Sequence, residues 1–143
     1  MRVKIKRLTP TAKLPAYQTD GAAGMDLYAD SDATVWPGGR AMVHTGIAAS
    51  IPFGFEGQVR PRSGLAKNFG VTVGNAPGTI DSDFRSEIQV LVQNHGQDCW
   101  RCAAGYRIAQ LVIAPVSRAE LQEVDALDET ARGAGGFGHT GIR

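Results

Sequence analysis

Ile88-Gln89-Val90-Leu91-Val92-Gln93 sends Ile88, Val90 and Val92 to one face and Gln89, Leu91 and Gln93 to the other. A period of two belongs to a strand with one buried face, because successive side chains of extended backbone point in opposite directions. The same character recurs on both sides of it. Val71-Thr72-Val73 is a second β-branched piece, and Ile108 to Ile113 is apolar apart from Gln110. At the start of the chain, Val3 and Ile5 alternate with Lys4 and Lys6, as in a half-exposed strand. The chain holds 18 glycines and 7 prolines, which punctuate it every few residues and leave helices little room. Many short strands joined by Gly/Pro turns predict an all-β protein: a sandwich, jelly roll or barrel.

One short helix is expected. After Pro61-Arg62-Ser63-Gly64 comes Leu65-Ala66-Lys67-Asn68-Phe69, with Ser63 placed to cap its start and Gly70 to stop it. The start of such a helix presents free backbone N–H groups and a partial positive charge, a natural phosphate site. Arg60 and Arg62 stand immediately before it.

Bulk properties narrow the choice of partner. At 143 residues the chain suits one domain with a real core. Its formal net charge of +1 exerts no general pull on DNA or an anionic membrane, so any anion site must be local. No stretch approaches a membrane span and none reads as a signal peptide, so a soluble cytoplasmic protein without direct nucleic-acid binding is expected. Cys99 and Cys102 form a CWRC unit. No second CxxC completes a four-thiolate zinc site, so two plain thiols in a β segment are expected.

Composition changes only at the end. From Arg132 the chain reads RGAGGFGHTGIR, with five glycines in the ten residues to Gly141. Such a segment cannot hold one conformation in water by itself. Phe137 is a lone aromatic within it, flanked by Arg132 and Thr140, residue types that bind phosphate. The glycines would let backbone approach a ligand closely. Residues 1–131 are therefore expected to form the β-rich domain, and 132–143 a flexible arm that closes over a site.

Five blocks in order carry a resemblance. They are Ala22-Ala23-Gly24-Met25-Asp26, Gly57-Gln58-Val59-Arg60-Pro61-Arg62-Ser63-Gly64, Gly78-Thr79-Ile80-Asp81-Ser82-Asp83-Phe84-Arg85, Gly105-Tyr106-Arg107-Ile108-Ala109-Gln110 and Arg132 to Gly141. Together they resemble the five motifs of the trimeric deoxyuridine triphosphatase (dUTPase) family. The resemblance implies a jelly-roll-like (β-clip) subunit, a homotrimer with active sites shared between subunits, and Mg²⁺-assisted hydrolysis of dUTP to dUMP and pyrophosphate. Such an activity keeps uracil out of DNA and supplies dUMP for thymidylate synthesis.

The resemblance also implies roles. Asp81 resembles the catalytic aspartate that accepts a proton from the water attacking the α-phosphate, while Asp83 would serve the turn. Arg62, Ser63 and Gly64 resemble the phosphate-gripping motif and would together also stabilise the charge that develops as pyrophosphate leaves. Gln110 resembles the glutamine placed near the α-phosphate and the water, and a buried amide needs a specific partner. Asp26 resembles the residue that holds Mg²⁺ through its water shell. Asn75, Gly78 and Ile80 belong to a hairpin, 75–84, that would receive deoxyuridine and exclude a 5-methyl group. Phe84 stands where the family normally has tyrosine, so its ring would block a 2′-hydroxyl without the phenolic hydrogen bond. Ser86 replaces a usual glycine. In the arm, Arg132 and Thr140 resemble γ-phosphate contacts and Phe137 the ring that stacks on uracil; Gly138 and His139 would act through their backbone, His139 standing where serine is usual. Two rivals remain: a dCTP deaminase or its bifunctional relative, which shares the fold but needs a glutamate for deamination and differs in the tail, and a non-enzymatic trimer that binds a nucleotide or a protein partner.

Overall fold

The computed structural model describes residues 1–141; Ile142 and Arg143, the end of the expected arm, lie outside the described residues. In chain order the elements are β1 (Lys4–Arg7), β2 (Met25–Tyr28), β3 (Ala33–Val35), β4 (Arg40–Ser50), β5 (Phe55–Arg60), α1 (Ser63–Phe69), β6 (Val71–Val73), β7 (Gly78–Ile80), β8 (Glu87–Asn94), β9 (Trp100–Cys102) and β10 (Arg107–Pro115). The architecture is the expected all-β one with a single short helix. One four-stranded sheet has the order β1-β4-β8-β6 and the other β2-β10-β5-β7, with β3-β9 as a separate pair.

The alternation in β8 is realised residue by residue. Ile88, Val90 and Val92 have no exposed surface, while Glu87, Gln89, Leu91 and Gln93 are half-buried on the other face. Against them pack Val43 and Ile47 of β4 and Leu27, Val59, Ala109 and Leu111 of the second sheet, so both sheets share one core. Burying such side chains supplies about 1.5–3 kcal/mol each and dominates the stability of the fold. β4 and β8 slip register between His44 and Ala48. Gly46 lies there at φ +65°, where a Cβ would come within 2.7 Å of Asp30 Oδ2 and Thr9 Oγ1. Its amide donates to Glu87 Oε1 at 2.8 Å. Burial pushes the Glu87 carboxyl up, but bonds from His44, Gly46 and Gln89 outweigh this and hold it below the ordinary value.

Asn94 closes β8 and is fully buried. Its Nδ2 donates to the carbonyls of Val35 (2.9 Å) and Asp98 (2.8 Å), and its Oδ1 accepts the Gly96 amide at 2.8 Å. Asn94→Ala would remove the partner of one buried and two part-buried backbone groups. It should cost about 3 kcal/mol, read as a lower urea midpoint with an unchanged m-value.

Two local expectations need correction. Ser63 does not cap α1. Arg62 is the N-cap, in extended conformation with no side-chain cap bond, because its carbonyl accepts the first helical bonds from Leu65 and Ala66 at 3.1 Å. Gly70 does end the helix, at φ 67°. Residues 75–84 do not form a simple hairpin: β6 pairs with β8, and β7 pairs with β5 in the other sheet. The turn through Asn75 crosses between sheets, since Val71 and Val73 are already laddered to β8 and Pro77 has no N–H to extend a ladder with β6.

Cys102 is buried and Cys99 half-buried, both as free thiols. Burial raises the Cys102 thiol above its ordinary value, so it stays protonated. A separation of three along extended backbone puts the two on opposite faces. Among the described residues no helix is long and apolar enough to cross a membrane.

Candidate active site

β10 runs through the middle of the second sheet, with β2 on one side and β5 on the other. Its register sets Gln110 opposite both Asp26 and Arg60. Three of the quoted blocks therefore meet at one end of this sheet, although up to 84 residues separate them in sequence.

The polar groups there hold each other. Gln110 is half-buried, and its Nε2 donates to the Pro61 carbonyl at 2.8 Å, the specific partner that a buried amide requires. Its other side lies against Gly24: a Cβ on residue 24 would fall 2.4 Å from Gln110 Oε1. Asp26 is 8% exposed. Arg62 Nε donates to its Oδ1 at 3.1 Å, and Arg107 Nη1 donates to its Oδ2 at 3.0 Å. Arg62 Nη1 donates in addition to the Arg107 carbonyl at 3.1 Å. The Arg62 guanidinium is thus fixed on two sides, and its Nη2 has no partner among the described residues. Ser63 and Gly64 follow it, exposed at the start of α1. Arg107 stands inside the fourth block yet is not among the residues singled out there by the motifs. The available signal was a cation opening a strand three residues before Gln110.

The third block lies elsewhere. β7 pairs antiparallel with β5, Gly78 opposite Val59 and Ile80 opposite Gly57. Gly78 is buried beside Asn75, whose Nδ2 would sit 3.2 Å from a Cβ at that position. Asp81 follows Ile80 and so falls beside Glu56, six residues before Arg62. At about 3.3 Å per residue that is on the order of 20 Å from the Arg62 cluster. Asp81 and Phe84 are both exposed, in a turn closed by the Phe84 amide on the Asp81 carbonyl at 3.2 Å. Arg85 Nη1 braces the turn from the carbonyls of Ser82 (2.7 Å) and Phe84 (2.8 Å). A shallow groove beside Asp81 is lined by Phe55, Glu56, Thr79 and Val116.

The last strand ends at Pro115, and residues 116–134 are exposed. Beyond Thr130 the described residues form local turns: Gly133 to Thr130, Gly135 to Arg132, His139 to Gly136 and Gly141 to Gly138. Arg132 Nε donates to the Gly135 carbonyl at 2.8 Å. His139 packs on Gly135. Phe137, at φ 46°, has a relative exposure of 114%, and Gly138 and Thr140 are exposed beside it. One chain thus gathers Asp26, Arg62, Ser63, Gly64 and Gln110, and leaves Asp81, Phe84 and the tail residues apart from them. Among the described residues no group of three or more His, Cys, Asp or Glu could cage a metal.

A family model described as dUTPase matches residues 11–141. A deoxyuridine 5'-triphosphate nucleotidohydrolase from Syntrophotalea carbinolica is 59% identical over 142 residues, covering 98% of this chain and 97% of its own. One from Nautilia profundicola is 55% identical over 141 residues, covering 99% of both. Among solved structures, the Staphylococcus bacteriophage 80alpha dUTPase with dUPNHPP superposes with a TM-score of 0.91 at 25% identity, over 99% of each chain. With a family match across most of its length, relatives above half identity and the same two-sheet architecture, the chain belongs to the dUTPase family.

Proposed function

We propose that this protein hydrolyses dUTP to dUMP and pyrophosphate, at sites completed by residues from neighbouring copies in a homotrimer. The observation that carries the activity is the oriented cluster of Arg62, Ser63, Gly64 and Gln110. A pre-positioned guanidinium, exposed backbone N–H groups at a helix start and an anchored amide are the donors a polyphosphate needs, and they require no rearrangement at the moment of reaction. Asp81 is the base that takes the proton of the attacking water. Asn75, Gly78, Ile80 and Phe84 receive the deoxyuridine, and the arm brings Arg132, Phe137, Gly138, His139 and Thr140 over it.

Distance supports sharing between copies. A separation on the order of 20 Å between Asp81 and the Arg62 cluster along β5 is longer than a triphosphate spans, which favours the base of one copy serving the phosphate cluster of another. Trp36, Met42, Phe53, Leu121 and Leu127 are each more than half exposed and are available for contact with other copies.

The donor set fits a metal that arrives with its substrate. Each Asp26 oxygen accepts one arginine bond and keeps lone-pair capacity for a metal-bound water, while no protein cage competes for the ion. Mg²⁺ on the triphosphate would neutralise charge and hold the phosphates in one conformation. The location is proposed as cytoplasmic, where the nucleotide pool is.

The test is pyrophosphate release from dUTP, UTP, dTTP and dCTP, with and without Mg²⁺. Rapid release from dUTP alone is expected; binding without release would favour a non-enzymatic relative, and release of ammonia from dCTP a deaminase. In the same panel Phe84→Tyr should change the dUTP/UTP ratio several-fold with little effect on Tm, because the hydroxyl adds a polar group at an exposed ring. An unchanged ratio would assign the sugar check to the ring alone.

A further inference from the structure

The buried carboxylate shared by two guanidiniums has a consequence for substrate affinity. Asp26 is held at Oδ1 by Arg62 and at Oδ2 by Arg107. Two positive charges face one negative charge, so one positive charge is left uncompensated next to Ser63 and Gly64. The three side chains differ in access: Asp26 is nearly closed off, Arg62 is about a quarter exposed and Arg107 under half. With Arg62 as its sole partner, Asp26 would form a neutral pair and hold that guanidinium back from an incoming polyphosphate. Arg107 divides the pull of the carboxylate. Its Nη1 also reaches Gln18 Oε1 at 3.3 Å, which ties it to the loop before β2.

We infer that Arg107 is a positioning residue for triphosphate binding: by sharing Asp26 it keeps Arg62 oriented while leaving a net positive charge for the phosphates. This rests on the dUTP-hydrolase reading above. Arg107 acts through Asp26 and Arg62 and has no part in the chemical step. The arrangement was invisible in sequence because Asp26, Arg62 and Arg107 meet only through the pairing of β2 with β10 and the path of the chain leaving β5.

The experiment uses the full-length protein with dUTP and Mg²⁺, and measures KM, kcat and Tm for the wild type, Arg107→Gln, Arg107→Lys, Asp26→Asn and Asp26→Asn/Arg107→Gln. Glutamine keeps a donor toward Asp26 but no charge. It should raise KM about ten-fold with kcat within about two-fold. Lysine returns the charge and should recover most of the affinity. In the Asp26→Asn background, Arg107→Gln should raise KM by clearly less than about ten-fold, since no carboxylate is left to share and the cluster keeps a net positive charge. An unchanged KM in Arg107→Gln, a fall in kcat and Tm without a KM effect, or full additivity with Asp26→Asn would overturn the inference. Wild-type protein that releases no pyrophosphate would overturn instead the activity on which it rests.

Discussion

Asp81→Asn should lower kcat for dUTP by roughly 10²–10⁴-fold, the range a positioned general base contributes, while a non-hydrolysable dUTP analogue binds within a few-fold of wild type. The physical basis is local. The Asp81 side chain makes no hydrogen bond among the described residues; its main-chain carbonyl, which asparagine keeps, closes the turn with the Phe84 amide. Arg85 braces the same turn from the carbonyls of Ser82 and Phe84, independently of residue 81. The substitution therefore removes a proton acceptor and nothing that folds the turn. Stopped-flow pyrophosphate release and analogue titration measure the two quantities. Equal losses of turnover and binding, or a clear fall in Tm, would make Asp81 a structural residue.

Removal of residues 132–143 should reduce kcat/KM by on the order of a thousand-fold and leave Tm within about two degrees. Among the described residues, every hydrogen bond made by residues 132–141 stays within that stretch or reaches back to Thr130. No core side chain comes from it. Among the described residues, loss of 132–141 thus costs the β-sheets no hydrogen bond and no core side chain. For the substrate the loss is large: an aromatic stack on the base is worth about 1–3 kcal/mol and a charge-assisted bond from Arg132 about 1.5–3 kcal/mol. Together about 4 kcal/mol, this is roughly a thousand-fold. On the proposed reading ligand contacts order the arm, because a segment with five glycines gains too little in water to offset its backbone entropy. A truncated protein that unfolds would show the segment to be a structural strap. Full activity would show that the aromatic and the arginine are idle.

Strands β1, β6, β8 and β10 and the short helix were legible in the chain because they are written in short-range pattern. The faces of Ile88 to Gln93 follow from a period of two, and the end of α1 from a glycine that tolerates positive φ. The need of Gln110 for a partner was legible for a similar reason: an amide inside an apolar run must be satisfied wherever it lies. Ser63 was misplaced as a cap because a cap is defined by which carbonyl accepts the first helical bonds, and Arg62 does so. The route of 75–84 was misjudged because turn residues announce a turn but not which sheet receives the next strand.

The sequence by itself determined the all-β class, the position of the helix, the glycine-rich tail and the residue types of the site, since each depends on neighbours a few positions away. Only the tertiary structure decided that Asp26, Arg62 and Arg107 form one charge cluster, and that Asp81 stands a strand's length from it. Both are matters of register between strands distant in the chain. Register is fixed by which side chains must be buried together across the core, and no single segment contains that information.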